Sequence, residues 1–143
     1  MSTRKRATLL TAILAGVMSL GPGVALAQPA APTPSSEQLT ASLKTIFDTE
    51  ASPSDRAKYV EGGSKAIPSA DSVGNALRGA PVTLRVQDPI VNGDQLDTQL
   101  AVALAGMGVR SYPLVWIYRD EQWKLSNQSF CAIANQISNS CSV

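Results

Sequence analysis

The sequence predicts a single α+β domain in which helices pack on an antiparallel sheet. Apolar residues recur with a helical period in the first half of the chain, change to the strand period of two at Val82, and return to a helical period after Ser126. Because a sheet with one apolar face must be covered by helices, these segments are expected to share one core. The 116 residues after Ala27 are enough for one such domain and too few for two.

Three helices are predicted before the sheet, and the first has the clearest signals. Ser35 and Gln38 have the spacing of a capping box, and an apolar stripe follows them. That stripe consists of Leu39, Leu43, Ile46 and Phe47. Ser52-Pro53 begins a second, short helix, which Gly62-Gly63 ends.

A third helix is predicted to begin near Ser69 and to end before Gly79. Its apolar positions are Val73, Ala76 and Leu77. Gly74 lies among them and makes this helix marginal, because glycine is a poor helix former.

Four strands are predicted after the helices. Residues 82–87 and 96–104 alternate apolar and polar side chains, which is typical of strands with one buried face. Asn92-Gly93 predicts a type I′ hairpin turn with these two residues at its centre. Residues 112–118 are apolar on both faces, which favours a strand covered on both sides.

The last strand contains Trp123 and Leu125 and follows a turn at Asp120-Glu121. Ser126 or Asn127 then caps a closing helix. The apolar stripe of that helix is Phe130, Ile133 and Ile137. Long antiparallel strands with helices on one face curl into a half-cone. The specific prediction is therefore the nuclear-transport-factor-like or cystatin-like architecture: N-terminal helices on a curved four-stranded meander, with a closing C-terminal helix.

The first 27 residues have the three parts of a cleaved signal peptide. Arg4-Lys5-Arg6 is the positive region, residues 7–20 are the apolar region, and Ala25-Leu26-Ala27 is the cleavage site. The 14 apolar-region residues are fewer than the roughly 20 that cross a bilayer, so no stable membrane span is expected after cleavage. An uncleaved anchor is the alternative. Residues 28–35, rich in proline and alanine, are predicted to be flexible, which leaves residues 36–143 as the domain.

Composition excludes several function classes. The sequence contains no histidine, which excludes histidine triads, histidine general bases and histidine-containing zinc sites. Without its leader the chain has nine basic and eleven acidic residues, and a net charge of −2 argues against a nucleic-acid partner. We expect no cofactor.

Three short motifs occur in order along the chain: Gln38-Leu39-Thr40 with Leu43, residues 58–63 (Lys-Tyr-Val-Glu-Gly-Gly), and Trp123-Lys124-Leu125-Ser126. Together with the layout of the whole mature domain, they resemble the secreted low-molecular-weight antigen family of mycobacteria and related actinobacteria. The resemblance implies an exported protein of the cell envelope or culture fluid, of unassigned biochemical function. The resemblance implies no cofactor and no catalytic residue.

Cys131 and Cys141 resemble the cysteine pair of a Phe-Cys-Ala-containing branch of related envelope proteins. They are the only cysteines, and in an exported chain they are expected to form an intramolecular disulfide. Ten residues of straight helix would separate them by about 15 Å, so the bond requires the closing helix to end near Ser138. A redox-active pair is the alternative.

Aromatic residues on adjacent strands suggest two interpretations. They either belong to the core or, if the sheet curls away from the helices, line an apolar cavity. In the second interpretation the candidate ligand-binding residues are Leu43, Phe47, Tyr59, Trp116 and Tyr118.

Two functions compete on this basis. The first is a non-catalytic exported protein that binds a small apolar ligand or an envelope protein. The second is a small enzyme of the half-cone isomerase type, which would use a tyrosine and an aspartate. Such an enzyme needs a buried carboxylate beside a tyrosine hydroxyl, whereas most carboxylates in this sequence occur at turns and helix ends. The sequence therefore favours the binding protein.

Overall fold

The structure is a computed structural model that describes residues 30–143. The predicted leader, residues 1–27, lies outside the described residues. The elements are α1 (Ser36–Phe47), α2 (Pro53–Ala57), a short 3-10 helix (Gly63–Ala66), α3 (Ile67–Leu77), β1 (Val82–Asn92), β2 (Gln95–Leu104), β3 (Gly108–Arg119), β4 (Gln122–Leu125) and α4 (Asn127–Ile137). The strands form one antiparallel sheet in chain order, curled around the helices. The predicted α+β half-cone is confirmed.

The predicted helix caps are confirmed. The Ser35 hydroxyl accepts the N–H of Gln38 at 3.2 Å, and the Gln38 amide oxygen accepts the N–H of Ser35 at 2.8 Å, which completes the capping box. The Ser52 hydroxyl caps α2 by accepting the N–H of Asp55 at 3.1 Å. Of the two candidates for α4, Ser126 is the cap, because its hydroxyl accepts the N–H of Ser129 at 3.2 Å.

Gly74 is a packing contact between α3 and the end of α1. A Cβ added at Gly74 would overlap the carbonyl oxygen of Phe47 and come within 2.8 Å of Cγ2 of Thr49. The sequence predicted only that Gly74 weakens this helix. The structure shows why the position is glycine: only glycine allows α3 to approach the end of α1 so closely. The helix also begins earlier than predicted, at Ile67 instead of Ser69, with a proline in its first turn.

Arg56 is a charged residue that is buried in the interior. Its side chain is only 2% exposed, although it carries a charge. Nε donates to the carbonyl oxygen of Ile46 at 2.9 Å, and Nη1 donates to the carboxylate of Asp71 at 2.6 Å. These contacts join α2 to the C-terminal turn of α1 and to α3.

The sheet has an inner face that contacts the helices and an outer face that does not. Residues directly opposite each other on antiparallel strands share a face, and Leu96 pairs with Trp116, which pairs with Leu125. All three are fully buried. The expectation that β3 is covered on both sides is met on one side only, because Val115 and Ile117 on the outer face are half-buried.

The two tight hairpins use different turns. Asp120 and Glu121 both have positive φ, as a type I′ turn requires. The first hairpin is shifted by one residue from its prediction, with Gly93 and Asp94 at the centre and Asn92 paired to β2. Only Gly93 has positive φ, at 65°, which is the pattern of a type II′ turn.

An irregularity interrupts β1, which lies at the edge of the sheet. The register of β1 against β2 shifts at Asp88 and Pro89, and Asp88 has a φ of 53°. Nearby, the hydroxyl of Thr40 in α1 accepts the N–H of Val86 at 2.9 Å. The edge strand is therefore bulged at one point and bonded to α1 at another.

We predict that Gly74→Ala lowers the free energy of unfolding by about 2 kcal/mol, because the cost of overpacking exceeds the gain in helix propensity. Urea unfolding followed by circular dichroism measures the change. The matched control is Asn75→Ala, which introduces the same residue at an exposed position of α3. Equal unfolding midpoints for the two variants would contradict the packing contact.

Candidate functional site

The strands extend beyond the helices at one end of the domain. β1, β2 and β3 contain 11, 10 and 12 residues, so each is roughly 33–40 Å long. The 11 residues of α3 and of α4 give helices of only about 17 Å. The inner face of the sheet is left partly uncovered, and a groove of about 420 Å³ forms there.

Apolar side chains line most of this groove. They are contributed by α1, α3, α4 and three strands: Phe47, Leu77, Val82, Leu84, Leu100, Val102, Leu104, Pro113, Leu114, Ala132, Ile133 and Ile137. The other lining residues, Tyr112 and Gln136, are polar but uncharged. A molecule inside the groove would therefore contact hydrocarbon surface and a few neutral hydrogen-bonding groups.

A cation lies next to a residue that lines the groove. Arg110 pairs with Val102 across β2 and β3, and Val102 in turn pairs with Leu84. Because paired residues share a face, Arg110 lies on the inner face, beside Val102 of the groove. The residue is exposed. The apolar groove thus has a positive charge beside it.

A second cavity, of about 310 Å³, lies beneath the segment that leads into α1. Three aromatic residues, Tyr59, Tyr118 and Trp123, line it together with residues 32–34. The rings of Tyr118 and Trp123 are tilted, with centroids 5.1 Å apart. The indole Nε1 of Trp123 donates to the carbonyl oxygen of Pro32 at 2.8 Å. We call Tyr59, Tyr118 and Trp123 the aromatic patch.

The five candidate ligand-binding residues do not share a cavity. Leu43 and Trp116 are fully buried in the core. The indole Nε1 of Trp116 donates to the hydroxyl of Thr98 at 3.1 Å, so this buried polar group is satisfied. Phe47 lies in the wall of the groove, and its ring stacks on Phe130 with centroids 6.1 Å apart.

The remaining two candidates, Tyr59 and Tyr118, belong to the aromatic patch and not to the groove. Five strand residues that line the groove, Val82, Leu84, Leu100, Val102 and Leu104, belong to the apolar faces predicted from the sequence, but they were not predicted as a site. The lengths of the predicted strands and helices did indicate a site. Val102 and Leu104 come late in a long strand, which short helices cannot cover over its whole length.

Acidic side chains near the hairpins form exposed ion pairs. Asp94 contacts Arg119 at 2.9 Å, and Asp120 contacts Lys124 at 2.6 Å. The hydrogen bond from Arg119 holds the pKa of Asp94 below its ordinary value, and the bond from Lys124 does the same for the pKa of Asp120. Both carboxyl groups are therefore ionised at neutral pH and lack a proton to donate.

A family model described as low molecular weight antigen MTB12, C-terminal domain, matches residues 32–141. The chain belongs to this family. The match includes every residue that lines the groove and both cysteines. No curated protein and no solved structure matches the chain significantly.

Within residues 30–143 of this antigen-family chain, no cluster of three or more cysteine, aspartate or glutamate residues could hold a metal ion. None of the helices in the same range has the length and apolar character needed to cross a membrane.

Cys131 and Cys141 of this MTB12-type domain are joined in the structure, with Cα atoms 5.3 Å apart. This arrangement fits the predicted pairing. The helix α4 ends at Ile137, and Asn139 has a φ of 56°, so the chain turns back as the pairing requires. The N–H of Ser142 then donates to the hydroxyl of Ser69 at 2.7 Å. The C-terminal tail is fastened to both α4 and α3.

We predict that reduction of the disulfide lowers the free energy of unfolding by about 2–3 kcal/mol, because the unfolded chain regains the entropy of an open loop. Guanidinium unfolding with and without a reductant measures the difference. The control is the double variant Cys131→Ala/Cys141→Ala, on which the reductant should have no effect. Two free thiols in the folded, exported protein would contradict the pairing.

Proposed function

We propose that this protein is an exported, non-catalytic protein that binds an apolar small molecule in the groove between the sheet and α4. The observation that carries this proposal is the uncharged, largely hydrocarbon lining of a groove of about 420 Å³. That volume is within the range of roughly 300–1,000 Å³ typical of small-molecule sites. Arg110 beside the groove suits a ligand whose polar or anionic end remains near the solvent.

The non-catalytic part of the proposal is supported by the chemistry of the groove. An isomerase of the half-cone type needs a carboxylate beside a tyrosine hydroxyl in a dry cavity. Tyr112 supplies a hydroxyl, but the described groove lining includes no aspartate or glutamate. The hairpin carboxylates Asp94 and Asp120 are exposed and paired with cations. Binding without chemistry is the function that this lining favours.

Export is supported by three independent features. The first 27 residues have the composition of a signal peptide. Cys131 and Cys141 are at bonding distance, and disulfides persist mainly in oxidising compartments outside the cytoplasm. The family is that of a low molecular weight antigen. We therefore propose that the protein acts outside the cell or in the cell envelope.

We predict that the exported protein begins at Gln28. Expression in an actinobacterial host, followed by intact mass analysis of the culture fluid, tests the cleavage site. The double variant Ala25→Leu/Ala27→Leu should remain uncleaved, because signal peptidase requires small residues at both positions. A cell-associated wild-type product that retains its first 27 residues would contradict the proposal.

We predict that the chain from residue 28 binds the neutral apolar dye N-phenyl-1-naphthylamine, and that Ile133→Asn weakens this binding about tenfold by removing hydrocarbon contact. Fluorescence titration measures the Kd. The matched control is Ile90→Asn, which makes the same change at an outer-face position that is 61% exposed. Failure of the wild type to bind, or equal weakening by both variants, would count against the groove.

A further inference from the structure

The aromatic patch carries a proline-containing segment of the same chain. Pro32, Thr33 and Pro34 line the second cavity together with Tyr59, Tyr118 and Trp123. They belong to no helix or strand and directly precede α1. Extended proline-rich peptides dock on grooves that aromatic side chains line. The three aromatic residues of the patch, with two prolines against them, form a surface of this kind.

Backbone chemistry makes this segment extended before it binds. Each proline ring fixes its own φ, and the residue before each proline, Ala31 or Thr33, is forced into an extended conformation. Such a segment has a low entropy cost on docking, because it needs little further ordering.

A specific hydrogen bond holds the segment in place. The carbonyl oxygen of Pro32 accepts the indole N–H of Trp123 at 2.8 Å, and the Trp123 side chain is only 7% exposed. Ala31 also packs against the core. An indole that donates to a backbone carbonyl recognises the shape of a peptide and not its side chains. The same contact is available to any proline-rich segment that adopts this path.

The cavity is not filled by the segment. Space of about 310 Å³ remains between Pro32, Pro34 and the rings of Tyr59 and Tyr118. Glu121 is the one charged residue among the described residues that line it, and its carboxylate disfavours acidic peptides.

We propose that the aromatic patch is a binding site for proline-rich peptides of other proteins, and that residues 32–34 occupy it in the isolated chain. The partner is a neutral or basic segment with the spacing Pro-x-Pro, in an extended conformation. This site is separate from the proposed ligand groove, with which it shares no lining residue. The inference does not depend on the function proposed for the groove.

Tethering determines how the site responds to a partner. A short tether gives residues 32–34 an effective concentration at the patch of about 1 mM or more, so a free peptide must compete with them. Weakening the segment within the chain should therefore strengthen binding of a free peptide. This inverse relation distinguishes a true peptide site from a merely structural contact.

The experiment uses the peptide Ala-Ala-Pro-Thr-Pro-Ser-Ser, which corresponds to residues 30–36, and the chain from residue 28 labelled at its tryptophan indoles. In the double variant Pro32→Ala/Pro34→Ala, the free peptide should move the indole N–H resonance of Trp123 with a Kd about tenfold lower than in the wild type. The indole of Trp116, buried on Thr98, serves as an internal control and should not move.

Two further variants test the patch itself. Tyr59→Ala, introduced into the double variant, should weaken peptide binding about tenfold, whereas Tyr112→Ala, the same change in the groove, should leave the Kd within about twofold. A peptide with both prolines replaced by alanine should not bind. Absence of binding to the double variant at about 5 mM peptide, or equal effects of Tyr59→Ala and Tyr112→Ala, would overturn the proposal. Dye binding by the groove is measured on the same samples, so either proposal can fail without the other.

Discussion

The buried guanidinium of Arg56 determines how the helices of this domain are arranged. A charge removed from water must find partners, and Arg56 in α2 finds them in the Ile46 carbonyl of α1 and the Asp71 carboxylate of α3. Arg56 can make both hydrogen bonds at once only when α1, α2 and α3 have this relative arrangement. In that geometry Gly74 packs against the Phe47 carbonyl. Phe47 and Leu77, which end α1 and α3, both line the groove, so the arrangement of these helices also shapes its wall.

The local features of the fold could be predicted from the sequence because they depend on residues close in the chain. The Ser35 cap and the strand alternation from Val82 are of this kind, and so is the α4 start. The burial of Arg56 could not be predicted, because a charged side chain is buried only when groups from other elements accept its hydrogen bonds. The position of the first hairpin turn was missed for a similar reason. Asp94 is placed by the N–H of Tyr118, at 2.7 Å from its carbonyl oxygen, and by Arg119.

The candidate site was harder to predict than the fold. Periodicity identifies which face of a strand is apolar, but the length and position of the covering helices decide whether an apolar residue is core or groove. Trp116 and Val102 share the inner face, yet the first is buried and the second lines an opening. Tyr59 and Tyr118 of the aromatic patch were among the predicted site residues. Their contact with residues 32–34 was not predicted, because those residues are far from Trp123 in the chain.

The bulge in β1 has a consequence for how copies of this protein meet. An edge strand with free backbone groups can recruit a strand from another molecule and template an aggregate. Pro89 has no N–H to offer, the left-handed Asp88 bends the strand, and Thr40 already bonds the N–H of Val86. The sheet therefore resists growth by strand addition at this edge. An edge of this kind protects the folded chain against fibril formation.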